Sequence, residues 1–283
     1  MDEEKNNKKV TVRDVAKAAG VSVATVSYCM NDTPGQKISP ETRKKVLQMA
    51  NLLNYRPNHA AKILAQGRNN VIGLAFSVSG DTPFKCIETA LFVQELTHRF
   101  HRMNYEVMLM ELPDREELTV NRMIDAIVAI DLPLESFRLL SGNYLVPVIG
   151  VDMIIDDDLF YRIYTDYPRY IRAAAEELRI TADDLYVITE PFRNLEFTDH
   201  IAKTVPEGHL ILTKELDEKT LSELKNRYCV ILGQSLGAYL KPYLTEGRYS
   251  VIAAHNEKKA NLTVNILLNT IDRIFDVSHD HPV

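Results

Sequence analysis

The chain has 283 residues, 46% of them apolar, and a formal net charge of -6. That length is enough for a small module plus one or two larger lobes with their own cores. No apolar run approaches the roughly 20 residues of a membrane span, and the opening MDEEKNNKK is too polar for a signal peptide, so a cytoplasmic protein with no membrane partner is expected.

Charge is distributed unevenly. Residues 1–68 hold 12 Lys and Arg against 6 Asp and Glu, whereas residues 69–283 hold 21 against 33. A basic excess gathered in one terminal module is the footprint that phosphate binding requires. The three cysteines, Cys29, Cys86 and Cys229, are far apart and lack CxxC spacing, which predicts reduced packing residues and no structural metal. No cofactor is expected.

In chain order, the first predicted helix starts at the N-cap Thr11, with Asp14 placed to return a capping-box hydrogen bond, and runs through Val15, Ala16 and Ala19. Gly20 ends it, because a tight turn between helices needs a left-handed residue, and Val21 plugs the angle. Ser22 caps a second helix. On it Val26 and Met30 are predicted to pack against Val15 and Ala19, leaving Val23, Ala24, Ser27 and Tyr28 outward. Outward small apolar groups and one phenol suit thymine methyls and a single hydrogen bond better than arginine-to-guanine readout. A third helix is predicted from Ser39-Pro40-Glu41, with Val46, Met49, Ala50 and Leu53 on its core face. Its other side carries Arg43, Lys44 and Lys45, readable as a solvated face or as phosphate contacts. The pattern is a helix-turn-helix.

Four ordered segments, VTVRDVAKAAGVSVATVS, ISPETRKKV, LNYRPNHAAKILAQG and VIGLAFSV, make the chain resemble the LacI/GalR family of bacterial transcription regulators. The resemblance implies a sequence-specific regulator, more often a repressor, that binds a palindromic double-stranded DNA operator as a homodimer. It places base contacts at Val23, Ala24 and Tyr28 and backbone contacts at Thr11, Ser22, Thr25 and Asn31. Tyr28 stands where relatives often have Arg, which changes the expected operator and not the binding. Residues 58–65 resemble the family's hinge helix, and the resemblance implies minor-groove contact by Ala61 and Leu64. An inserted leucine costs a few kcal/mol of unstacking, offset by the contacts that a bent duplex allows.

From Val71 onward apolar runs alternate with helical stretches: VIGLAFSV, YEVMLMEL, AIVAI, VPVIGVD, YRIYTD, DLYVIT, HLILT, YCVILG and YSVIAAH all read as buried strands. The fold class expected is α/β, an all-α helix-turn-helix head joined to a periplasmic-binding-protein-like body of two parallel lobes. The expected division is a head at 1–57, a hinge helix and linker at 58–68, and an effector-binding and dimerisation body at 69–283. Within the body the first lobe spans about 71–152 plus a C-terminal crossover, and the second about 162–250.

The resemblance implies an effector cleft, with Asp152, Tyr164, Asp166, Gln234 and Ser235 as its candidate residues. Here the body departs from the family. Tyr170 replaces a usual Gly, PFRNLEFTDHIAK lacks the Arg before Gly-Phe that grips sugar hydroxyls, and GQSLGAYL lacks an Asn-Asp pair. The stretch from Met110 to Ala126 is short. The effector is therefore open between a sugar, phosphosugar or nucleotide and a protein corepressor, and a body that has lost sugar binding is the alternative.

Three other patterns have two readings each. Gly233-Gln234-Ser235-Leu236-Gly237 is a G-x-S-x-G between a strand and a helix, the setting of a hydrolase nucleophile elbow, but only 48 residues follow Ser235. His255, His279 and His281 are the histidines available to it, the last two in a polar tail. No enzyme is expected. Asp156, Asp157 and Asp158 read as a solvated turn in preference to a cation loop, for want of a spaced Gly and distal Glu. Phe160, Tyr161, Tyr164, Tyr167 and Tyr170 would either stack on a ligand or cover the interlobe hinge.

Overall fold

The computed structural model describes residues 10–31, 37–55, 68–78, 80–110, 112, 120–276 and 278–283. The chain divides into two compact units, 1–68 and 69–283. Each forms its own core.

The first unit holds α1 (Val12–Ala19), α2 (Val23–Asn31) and α3 (Pro40–Leu52). Thr11 and Asp14 form the capping box of α1, with the Thr11 amide 2.8 Å from the Asp14 carboxylate. Gly20 closes α1 with φ of 67°, the left-handed backbone that glycine adopts at little cost. Ser22 accepts from the Thr25 amide at 3.1 Å and opens α2, and Ser39 accepts from Thr42 in the same way ahead of α3. Val15, Ala16, Ala19, Val26, Cys29, Val46 and Ala50 make the buried cluster. On α2 the residue buried with Val26 is Cys29, three positions on, while Met30 is half-buried at the cluster's margin. Burial of each valine contributes roughly 1.5–3 kcal/mol, a small total for a module of this size.

The second unit contains two parallel sheets. The first has the order β10-β5-β4-β3-β1-β2, from β1 (Val71–Ala75), β2 (Glu106–Met110), β3 (Ala126–Ile130), β4 (Val148–Val151), β5 (Tyr161–Tyr164) and β10 (Asp280–Pro282). It is covered by α4 (Pro83–Arg102), α5 (Leu134–Asn143) and α10 (Asn256–Ile271). The second has the order β7-β6-β8-β9, from β6 (Leu185–Thr189), β7 (Leu210–Leu212), β8 (Tyr228–Leu232) and β9 (Tyr249–Ile252). Its helices are α6 (Tyr167–Leu178), α7 (Leu195–Ala202), α8 (Glu218–Leu224) and α9 (Gln234–Leu240).

All nine apolar runs form strands, and every pairing is parallel. Two details depart from the sequence-based expectation. β5 pairs with β4 and belongs to the first sheet, so the second lobe begins at α6 and not near residue 162. The polar tail forms a tenth strand beside β5, where the Arg162 amide donates to His279 at 2.8 Å and Val283 is buried. Among the described residues the chain crosses between lobes at 165–166 and at 253–255. The buried Thr165 hydroxyl donates to the Ala254 carbonyl at 3.0 Å, tying the two crossings together.

Candidate functional site

In the head, the outward side of α2 begins with Val23, 42% exposed, and the exposed Ala24, flanked by half-buried Thr25, Ser27 and Tyr28. The Ser22 and Thr25 hydroxyls are 2.9 Å apart at the start of the helix, and Thr11 stands exposed ahead of α1. The same unit carries basic side chains on its other helices: Arg13 and Lys17 are exposed on α1, Lys44 and Lys45 on α3, and Arg43 is half-buried. Small side chains and a phenol suit contact with base edges, and exposed cations on the same small unit suit phosphates. Asn31 ends α2. Ala61 and Leu64 lie outside the described residues.

In the body, parallel sheets place their functional groups at the carboxyl ends of strands where the strand order reverses. Those points are β1/β3 in the first sheet and β6/β8 in the second. The loops leaving these strands bring Lys85 and Glu88 of α4, Asp131, Glu190, Phe192 and Gly233 around one narrow cleft, joined by Asp152 and Tyr167 and by Lys259 of α10. The space within it is about 50 Å³, room for a few waters at roughly 10–15 Å³ each.

Charge fills this cleft. Lys259, 1% exposed, pairs with Asp152. The Lys85 ammonium lies 3.0 Å from the centre of the Phe192 ring, and burial pushes it down to about 8 against the attraction of Asp131, Asp152 and Glu190. Burial raises Asp131 to about 7, opposed chiefly by Lys85. Asp131 and Asp152 both have left-handed backbones, with φ of 45° and 50°, at the exits of β3 and β4. Strain of this kind in residues other than glycine persists where surrounding contacts hold it. Asp131 accepts from the amides of Arg193 at 2.9 Å and Asn194 at 3.2 Å.

The sequence candidates for the effector cleft divide into three places. Asp152 lines the closed cleft. Gln234 and Ser235 line a neighbouring open groove of about 680 Å³ with His255, Asn256 and Lys258. Tyr164 and Asp166 line neither: the Tyr164 hydroxyl donates to Asp280 of β10, and Asp166 caps α6 by accepting from the Arg169 amide at 3.1 Å. Of the aromatic series, Tyr167 reaches the cleft and Tyr170 stacks on His255 at the crossing. Phe160 packs edge-on against Phe137, and Tyr161 accepts from the Asp276 amide at 2.9 Å.

Sequence reading missed Lys85, Glu88, Asp131, Glu190 and Lys259. Its available signal was an acidic residue directly after a buried strand, in AIVAID and YVITEP. At the G-x-S-x-G turn Ser235 is the second residue of α9, its amide 3.4 Å from Glu88, and no histidine hydrogen-bonds its hydroxyl among the described residues. Asp156 pairs with Arg138, Asp158 with Arg162, and Asp157 accepts from the Leu159 amide, which makes this stretch a braced turn. None of the three cysteines forms a disulfide, and Cys29 and Cys229 are buried. No described helix is long and apolar enough to cross a membrane.

Residues 11–58 match the family described as bacterial regulatory proteins, lacI family. Among curated proteins, the fructose operon regulatory protein of Vibrio cholerae is 31% identical over 162 residues, covering 53% of this chain and 48% of its own. The transcriptional repressor PurR of Pasteurella multocida is 26% identical over 200 residues, covering 65% and 58%. The chain thus spans about half the length of the curated relatives it matches. Among solved structures, the lac repressor dimer bound to operator and the anti-inducer ONPF is similar in fold, with a TM-score of 0.61 at 16% identity over 98% of this chain and 96% of that one. The Cra regulator of Pseudomonas putida with fructose 1-phosphate gives a TM-score of 0.54 at 16% identity, over 76% and 97%.

Proposed function

We propose, for a chain that belongs through its head at residues 11–58 to the lacI family of bacterial regulatory proteins, that it is a cytoplasmic transcription repressor binding a palindromic operator as a homodimer. The observation that carries this reading is the capped α2 with Val23, Ala24 and Tyr28 on its outward side, inside the matched segment. These three residues read base edges in the major groove. Thr11, Ser22, Thr25 and Asn31 hold the phosphate backbone, and Ala61 with Leu64 enter the minor groove where two protomers meet. Two heads are needed because one small head contacts too few bases for useful specificity, and a two-fold dimer matches a palindrome. The protein acts by binding and performs no chemistry.

Selection of bound fragments from genomic DNA tests this. A two-fold symmetric motif is expected, and Tyr28→Arg is expected to alter the same bases in both half-sites, with each replaced contact worth about 1–3 kcal/mol. Binding to selected fragments no tighter than to random DNA at physiological salt would sink the proposal.

The body has a second reading within this function. A narrow cleft crowded with its own charges supports a regulator that answers to a protein partner, or to none, in place of a sugar, phosphosugar or nucleotide.

A further inference from the structure

The first amides of a helix have no partner within it, and an amide buried in a cleft must find an acceptor elsewhere. In this body those acceptors come from the opposite lobe. Glu190, 2% exposed at the exit of β6, accepts from Phe84 at 3.2 Å and Lys85 at 2.5 Å, the second and third residues of α4. Asp131, at the exit of β3, accepts from Arg193 and Asn194 ahead of α7. Glu88, on α4, accepts from Gln234 at 3.0 Å. Asn194, fully buried, adds bonds in both directions, its carbonyl taking the Ile154 amide at 2.8 Å and its amide group reaching Leu132 at 3.4 Å.

A lobe closure is driven only by contacts that exist in the closed state and not in the open one. We propose that this body supplies all of them itself: Glu190, Asp131 and Glu88 form a reciprocal latch across the cleft, so that closure needs no small-molecule effector. Lys85 and Lys259 make the latch tolerable by offsetting the repulsion of the carboxylates gathered there. Apolar packing reinforces it, since Phe84 leaves the first lobe to sit on the Ile188 and Leu236 cluster of the second, with its ring centre 5.2 Å from that of Tyr239. The inference rests on reading the body as the regulatory unit of a DNA-binding protein and specifies how that unit is set.

The test is hydrogen exchange on the full chain, read at the amides of Phe84, Lys85, Arg193 and Asn194, with operator binding measured on the same samples. In the unmodified protein these amides are expected to exchange slowly and to be unaffected by D-glucose, a hexose monophosphate or adenosine monophosphate. Glu190→Gln keeps the shape and weakens the acceptor; it is expected to speed exchange at Phe84 and Lys85 about tenfold or more, while β3 and β8 amides stay slow. Asp131→Asn serves as the second variant, read at Arg193 and Asn194. Amides that exchange freely until one of these ligands is added would overturn the latch, as would slow exchange in both variants. Intact operator binding alongside free amides overturns the latch alone, whereas absence of specific binding alongside slow amides overturns the regulator reading alone.

Discussion

At Asp131 two demands oppose each other. Two amides from the facing lobe and the nearby Lys85 favour the anion, while burial, helped by Asp152, raises the carboxyl from 3.8 to about 7. A raised value means that the folded chain holds a proton over a range in which the unfolded chain has released it. The resulting stability is complete below about 4 and is lost as pH rises through about 7. Lys85 runs the other way, because its lowered value gives stability that is complete above 10.5 and lost as pH falls through about 8. Near neutrality both groups weigh against the fold. Asp131→Asn keeps a carbonyl acceptor and removes the titration. Urea unfolding at pH 5 and pH 7.5 should therefore show a fall in the parent stability of roughly 1–3 kcal/mol that the variant lacks, discounted from the full shift because the side chain is part-exposed. An unchanged slope in the variant would contradict this assignment.

Helices in the head owe their limits to single capping residues, and these are local signals. Ser39 accepts from the Thr42 amide, and Pro40 fills the first helical position, so Ser39→Ala should cost about 1 kcal/mol and lower the melting midpoint of the head, followed by circular dichroism. A variant melting with its parent would show that packing alone holds α3. Such caps, and nine apolar strand runs, could be read from the chain because each depends on neighbours within a few residues. β10 could not: Asp280–Pro282 has no apolar pattern, and its structure comes from β5, which offers an unpaired edge more than a hundred residues away in sequence. β5 itself read as the start of the second lobe because YRIYTD leads straight into α6, and only its pairing with β4 reveals its sheet. The cleft was legible least. Glu190 meets α4 across 105 residues of sequence, and Asp131 meets Asn194 across 63, so no local spacing marks either pair. Gln234 and Ser235 were visible as a motif, yet the motif's meaning depends on Glu88, which faces their amides from another lobe.

Over the whole molecule, opposite charge on the two units separates attraction to phosphate from the acidic remainder. If Lys44 and Lys45 neutralise phosphates in the proposed complex, replacing each by Ala should reduce the slope of log affinity against log salt by about 1 for each phosphate no longer neutralised, measured by fluorescence anisotropy over a salt series. Equal slopes would assign these lysines to the solvated face of α3. One attachment in the body also bears on how the body opens. Asp125 holds both the backbone and the side-chain amide of Asn69 at 3.1 Å and reaches the Val71 amide at 3.3 Å, directly ahead of β1. β1 lies between β2 and β3, paired on both edges. The strand that opens the body is therefore anchored at its entry by a carboxylate and along both edges by its neighbours. Held at its start and on two sides, β1 belongs to the part of the sheet that opens last when the body unfolds locally.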